Sequence, residues 1–306
     1  MSKENTAVTK KKIKRCKEDV VFDAACFIIL TLVLFVVAYP LYWVIISSIS
    51  APSAVSSGKV LLHPIGFTLK GYAEVFKNDQ VMRGFLNSLI ITFCGVMVNL
   101  IVTLPTSYAL SRSNFSGKKP ITIFYLITMF FGGGLIPTYL VIQRLQMLNT
   151  IWALILPGCL SVYNMIVART FFKSNISEEL YEAAEIDGCT QARFFFQIAL
   201  PLSKAIIAAV SLFTIVGKWN DWYSALIYLN SEAYYPVQMI LRKILFNSTV
   251  FAQMDPSVMQ MFRNSTITPA NIQMATIVVI MLPIMCIYPF IQKYFAAGVM
   301  VGGVKG

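Results

Sequence analysis

Six stretches of this 306-residue chain contain no charged side chain, and they restrict the folds that the chain can adopt. They cover residues 24–58, 84–111, 120–143, 145–168, 205–217 and 264–292. A hydrocarbon core about 30 Å thick is crossed by about 20 helical residues, and five of the six stretches are that long. Only 13% of the residues are charged, against about 25% in globular proteins, so water cannot surround most of the surface. We therefore expect an all-α integral membrane protein.

The short stretch 205–217 lies between Lys204 and Lys218, whose long side chains can reach the two membrane interfaces. Including it, we predict six spans, at about 22–46, 86–111, 120–142, 150–171, 201–220 and 271–293. Proline occurs inside most of these spans, and three consecutive glycines at 132–134 interrupt the third. Such breaks persist where neighbouring helices or a watery cavity satisfy the freed backbone groups. They fit a bundle that opens and closes.

The distribution of Lys and Arg predicts the orientation of the spans. The first 17 residues hold seven of the 25 Lys and Arg residues, directly before the first apolar stretch. Cytoplasmic segments are enriched in these residues and contact anionic lipid. We predict cytoplasmic termini, with a basic segment at 1–21 and a tail at 296–306. The first apolar run exceeds the 7–15 residues of a signal-peptide core, so we expect it to stay as a span.

The remaining composition excludes several classes of function. The single histidine, His63, cannot build a multi-histidine metal site, and we expect no metal. The six cysteines form no C-x-x-C pair and show no disulfide framework. Basic residues do not alternate with aromatic ones, which argues against nucleic-acid binding. The pattern G-x-x-x-x-G-K-[ST] is missing from the sequence, so we do not expect the chain to hydrolyse ATP or to be an enzyme.

An acidic segment separates the fourth and fifth predicted spans, with five of the 14 acidic residues inside ten positions. Ser177 is a good N-cap, and Glu178 and Glu179 suit the positive end of a helix dipole. Gly188 suits the left-handed position that ends a helix. We therefore predict a short helix at 178–187.

A second short helix is predicted at 190–199, and Pro201 is predicted to open the fifth span. The acidic residues exclude this pair of helices from the membrane. The pair must pack on a partner at the cytoplasmic face, or lie on the lipid headgroups as a solvated amphipathic loop.

Three motifs in the chain resemble those of a known family, the permease subunits of bacterial ABC importers. The loop pattern Glu182-Ala183-Ala184-x-x-Asp187-Gly188, followed by Ile198-x-Leu200-Pro201, resembles the EAA loop of these permeases. The segment Trp219-Asn220-Asp221-Trp222 and the ending 298–306 resemble the carbohydrate-uptake branch, in particular MalG-like permeases. Cys189 and Ala205 stand where the family usually has Ala and Pro. The resemblance extends over nearly the whole chain from about residue 20.

The resemblance implies a six-span permease domain at 22–295 with a coupling loop at 173–200. In this family the loop docks in a cleft of an ATPase subunit and carries the motion of ATP-driven closure to the spans. It implies these coupling residues: Glu182, Ala183, Ala184, Asp187, Gly188 and Pro201. It further implies a second permease, two ATPase subunits that bind ATP and Mg, and an extracytoplasmic sugar-binding protein, with no cofactor on this chain. The tail 296–306 is expected to lie against the ATPases.

The translocation pathway is predicted from polar and aromatic residues within or next to the spans: Asn99, Tyr108, Asn164, Trp219 and Asn220. A buried amide in a membrane protein also commonly bonds across helices, and a Trp near the interface commonly belongs to an aromatic belt. Both roles stay open for these residues.

Two other functions stay open beside an ATP-driven importer of an oligosaccharide. A secondary carrier driven by an ion gradient usually needs carboxylates or histidines within the membrane, and here Asp23 and Asp221 lie only at span ends. A membrane scaffold without transport activity would show no response to ATP.

Overall fold

The computed structural model describes residues 17–252 and 270–302. All regular structure in these two ranges is helical, and no strand occurs in them. Residues 1–16, 253–269 and 303–306 lie outside the described part, and with them most of the predicted basic segment 1–21 and the end of the predicted tail 296–306.

Three helices are long and apolar enough to cross a membrane. They are α1 (Lys17–Ser48), α4 (Asp79–Ser111) and α15 (Ala270–Gly302). They coincide with the predicted spans at 22–46, 86–111 and 271–293, which are confirmed in position. Helices α1 and α15 extend beyond both predicted limits, and α4 begins earlier than predicted but ends at the predicted residue. Pro40 lies inside α1 and Pro105 inside α4 without ending either helix.

The third predicted span, 120–142, is wrong as a single helix. The chain forms α5 (Lys118–Phe130) and α6 (Leu135–Arg144), which meet at an angle of 113°. The three glycines lie at the break, and Gly134 has a φ of +86°, which side chains with a Cβ rarely adopt. The glycines therefore turn the chain rather than kink a continuous helix.

The fourth predicted span, 150–171, is also interrupted. A single turn, α7 (Trp152–Ile155), is followed by non-helical residues 156–161 and by α8 (Val162–Asn175). Pro157 and Gly158 lie in the gap, and Gly158 has a φ of +69°. The gap leaves backbone carbonyls of this segment without helical partners.

The fifth predicted span begins later than expected. The chain stays helical through α11 (Leu200–Leu202), which contains Pro201, and turns by 80° at Ser203 into α12 (Lys204–Trp219). Pro201 therefore precedes the bend and does not open the span. Within the described residues, three unbroken helices and two bent pairs make up to five crossings by length and composition.

Five further helical elements lie near the N-terminal ends of α4 and α15. They are α2 (Pro52–Ser56), α3 (Lys70–Lys77), α13 (Tyr223–Tyr228), a 3₁₀ turn (Glu232–Tyr234) and α14 (Val237–Ala252). Helix α4 packs against both α12 and α8, and it is the central element of the fold. One buried cluster lies at its C-terminal end, and others lie near its middle and its N-terminal end.

Candidate functional site

The predicted loop helix is present as α9 (Glu178–Ile186), one residue shorter than expected. Ser177 caps it, because the Leu180 N–H donates to Ser177 Oγ at 3.3 Å. Gly188 has a φ of +76° and follows the last helical turn. The Gly188 and Cys189 N–H groups donate to the Glu185 and Ala184 carbonyls, both at 2.9 Å. The local sequence signals thus act as predicted at both ends of α9.

The second loop helix begins as α10 (Gln191–Phe194), with Thr190 as its N-cap. It continues as a π-helical turn over Phe195–Ala199 and then as α11. The predicted helix at 190–199 is therefore present, but half of it is wound more widely than an α-helix.

The inner face of α9 packs on an aromatic cluster at the C-terminal end of α4. Tyr181 of α9 contacts Phe194 edge-on, with ring centroids 5.2 Å apart. Tyr108 of α4 contacts Phe172 and Phe195 at 5.6 and 4.9 Å. Because all five rings are buried, the loop helices and α4 share one apolar core.

An ion pair fixes the start of α9 to the same end of α4. Arg112 Nη2 donates to Glu178 Oε2 at 2.7 Å, and the Ser113 N–H donates to Glu178 Oε1 at 3.1 Å. The guanidinium carbon lies 5.4 Å from the ring centre of Tyr108 and 5.3 Å from that of Tyr181. Arg112 is only 13% exposed. This anchor could not be predicted from the sequence, since its two residues are 66 positions apart.

The pKa of the Glu178 carboxyl lies below its ordinary value. Burial alone would raise this pKa, but hydrogen bonds from Ser113 and the charge of Arg112 lower it by more. Glu178 is therefore a carboxylate at neutral pH, and the ion pair with Arg112 is formed.

The outer face of α9 is exposed. Glu182 and Ala183 lie on it, and Ile186 at its end is 87% exposed. Asp187 and Gly188 are exposed as well, whereas Ala184 is partly buried. Pro201 is exposed on the neighbouring α11.

A groove of about 430 Å³, lined by both apolar and polar side chains, lies between α4, the gap in the fourth span and α12. Asn99 and Asn164 line it, together with Lys218 and Asp221. Asn99 Nδ2 donates to the Cys159 carbonyl at 2.7 Å, and Asn99 Oδ1 is buried without a hydrogen-bond partner. The groove thus combines two of the predicted pathway residues.

The prediction that the Lys218 side chain reaches a membrane interface is wrong, because the side chain lies inside this groove. Its Nζ donates to the Leu154 carbonyl and, at 3.3 and 3.4 Å, to the Ile155 and Pro157 carbonyls. These are carbonyls of the interrupted fourth span, so the ammonium replaces the missing helical donors.

The other three pathway candidates lie outside the groove. Tyr108 belongs to the aromatic cluster beneath α9. Trp219 is 3% exposed, and its Nε1 donates to the Ile280 carbonyl of α15 at 3.2 Å. Asn220 is exposed, and its Oδ1 accepts from Gln238 Nε2 at 3.0 Å.

Comparisons with known proteins identify relatives over almost the full length. The chain is 38% identical over 285 residues to the Bacillus subtilis polygalacturonan/rhamnogalacturonan transport system permease protein YtcP, covering 93% of this chain and 98% of that protein. It is 28% identical to the arabinooligosaccharides transport system permease protein AraQ of Halalkalibacterium halodurans, covering 89% and 92% of the two chains. No family model matches the sequence.

The fold also matches a solved structure, a chain of a bacterial ABC transporter involved in the import of the acidic polysaccharide alginate. The two chains superpose with a TM-score of 0.82 at 26% identity, covering 92% of this chain and 99% of the other. With apolar membrane-spanning helices, an all-helical fold and 38% identity to a curated transport permease, the chain belongs to the permease subunits of sugar ABC transporters.

Proposed function

We propose that this chain and a second, homologous permease form the pathway by which an oligosaccharide enters a bacterial cell. Two ATPase subunits bind ATP and Mg and drive transport, and an extracytoplasmic binding protein delivers the sugar. Six crossings result when the two bent pairs and the interrupted segment 150–171 each count as one span. Both termini and α9 then lie on the cytoplasmic side of the plasma membrane.

The main support for this proposal is that one side of α9 is packed on α4 and the other side is exposed. One side is held to α4 by Tyr181 and by the ion pair of Glu178 with Arg112. The other side presents Glu182, Ala183 and the 87% exposed Ile186. A large apolar residue that ends an acidic exposed helix suits a partner's cleft rather than water. A force applied by that partner reaches α4 through a packed core.

The substrate class is supported by the groove and by the relatives. The relatives are named for polygalacturonan/rhamnogalacturonan and for arabinooligosaccharides. In this chain, Ser161, Asn164 and Asp221 line the groove. Hydroxyl, amide and carboxylate groups of this kind can form hydrogen bonds with sugar hydroxyls.

The test is ATPase activity of the complete importer, co-expressed and purified by a tag on this chain. Glu182→Ala removes a carboxylate from the docking face, and Gly188→Pro cannot adopt the φ of +76°. Glu74→Ala is the control, since Glu74 is an exposed carboxylate on α3, at the opposite end of the bundle.

We expect the complex to co-purify and the stimulation of its ATPase by the binding protein to fall at least tenfold in both loop variants, with no change in the control. Sugar uptake that needs an ion gradient and no ATP would contradict the proposal. So would a chain that purifies without ATPase subunits and is unaffected by both loop variants.

A further inference from the structure

Four cations line a second groove at the same end of the bundle as α9. This groove of about 310 Å³ is bounded by the end of α4, the start of α5 and the end of α8. Its basic residues are Lys118, Lys119, Arg169 and Lys173, and no carboxylate is among its lining residues. We propose that this basic groove binds the phosphate headgroup of an anionic phospholipid.

Two of the cations are held in place by backbone carbonyls. Lys118 Nζ donates to the Arg112 and Ser113 carbonyls at 3.1 and 3.0 Å. Arg169 Nε donates to the Leu110 carbonyl at 3.0 Å. These carbonyls lie at the C-terminal end of α4, where a helix dipole favours positive charge. The contacts orient both side chains without neutralising their charge.

The other two cations, Lys119 and Lys173, are exposed at the mouth of the groove. Helix α5 also begins here. Its N-cap residue is Gly117, so no side chain caps the first N–H groups of the helix. The N-terminal end of a 13-residue helix adds positive potential at this point. The cations of α5 and α8 and the N-terminal end of α5 therefore direct positive charge into one concave site, where a single phosphate can meet several donors.

The surface next to the basic groove favours a lipid over a soluble phosphate. Helix α5 has no buried residue. Ile123, which lines the groove, is 55% exposed, and the adjacent Phe124 is 63% exposed. An acyl chain can lie along this apolar helix while its headgroup occupies the basic groove. Assignment to the inner leaflet rests on the orientation given in the proposed function.

The test measures lipid retained by the purified complete importer after detergent washing, using mass spectrometry. Phosphatidylglycerol and cardiolipin are offered in competition with phosphatidylcholine. The variants are Lys173→Gln and the double change Lys119→Gln/Lys173→Gln. Lys204→Gln is the control, because it removes an exposed cation from the same end of the bundle, outside the groove.

We expect selective retention of anionic lipid, about fivefold weaker in the single variant and about 25-fold weaker in the double variant, from roughly 1 kcal/mol per basic residue near a charged membrane. The control should retain lipid like the unmodified protein. This readout needs no coupled transport, so it is independent of a failure of the proposed function.

Three outcomes would overturn the inference. In the first, the control loses lipid as strongly as the single variant. In the second, inorganic phosphate or glycerol phosphate binds the complex and displaces the lipid, which would make the groove a site for soluble phosphate. In the third, the double variant keeps its lipid but loses the ATPase subunits, which would make the groove a protein contact.

Discussion

The two ends of α4 are joined to their surroundings in different ways. At the C-terminal end, contact is made by long side chains, through the rings around Tyr108 and the pair Arg112–Glu178. At the N-terminal end, small residues let another backbone approach. Gly84 leaves no room for a Cβ against α14, and Ser88 Oγ accepts from the Val237 N–H at 2.9 Å.

Under the proposed function, this difference predicts separate effects on stability and on coupling. Backbone contact with small residues permits little relative movement, because packed backbones have few alternative arrangements. Side-chain contacts through rings and a guanidinium can shift while they stay in contact. We therefore expect changes at the N-terminal end to act mainly on the stability of the complex, and changes at the C-terminal end to act mainly on the coupling of ATP hydrolysis to transport.

Gly84→Val should have the largest effect. A Cβ at this position would meet the Ile240 side chain and lie 3.3 Å from Val237 Cα, which cannot retreat as a side-chain tip can. Overpacking of this kind costs about 1–3 kcal/mol, and we expect the upper end, measured as a lower midpoint of thermal unfolding in detergent. Gly217→Val is the control, since its Cβ would have no neighbour within 4 Å. Equal destabilisation by both changes would contradict the comparison.

Arg112→Ala should come next and should act on coupling. It removes the partner of Glu178 and two largely buried cation–π contacts, each worth about 0.5–2 kcal/mol. The complex should assemble, hydrolyse ATP and transport sugar at least fivefold less per ATP. Arg112→Lys keeps the charge without the planar group and should be intermediate. Normal transport per ATP in the Ala variant would show that the anchor does not carry motion.

Asn87→Ala should have a smaller effect, at the N-terminal end. Asn87 Nδ2 donates to the Ala233 and Tyr235 carbonyls at 2.8 and 3.1 Å. Hydrogen bonds of this kind in membrane proteins contribute about 0.6–2 kcal/mol. We expect a lower unfolding midpoint with unchanged transport per ATP. A coupling defect at constant stability would place part of the motion at this end.

The pH dependence of Glu178 should be the smallest effect. Its folded-state pKa is lowered, so the stability contributed by its charge is complete above the ordinary value of 4.5 and is lost as pH falls through the lowered pKa. Glu178→Gln should therefore destabilise the complex at pH 7, by less than about 1 kcal/mol because the side chain is 42% exposed. The difference from the unmodified protein should vanish at strongly acid pH. A difference that grows on acidification would contradict the lowered pKa.

Local signals in the sequence predicted α9 almost to the residue. Ser177, the two glutamates after it and Gly188 each act on neighbours within one helical turn, so no tertiary information was needed. The three unbroken spans were predictable for a different reason. In lipid the backbone polar groups of a long uncharged stretch must be satisfied internally, and a continuous helix does this within one segment.

The interrupted spans were not predictable from the same signals. A charge-free stretch indicates what lies in the membrane and not which of its residues are helical. The gap at 156–161 depends on Lys218, whose Nζ binds carbonyls about 60 residues away. Helix α14 was missed as well, because Arg242 and Lys243 fall within it and its apolar run is short.

The π-helical turn at Phe195–Ala199 lies between the loop helices and α12, and the chain there would become longer if it rewound as an α-helix. A π turn corresponds to one residue inserted into an α-helix. Tightening it to an α-helix would advance the following residues by about 1.5 Å and rotate them by about 100°. A small displacement of α10 can therefore be taken up by a change of winding, and only a larger one has to move α12.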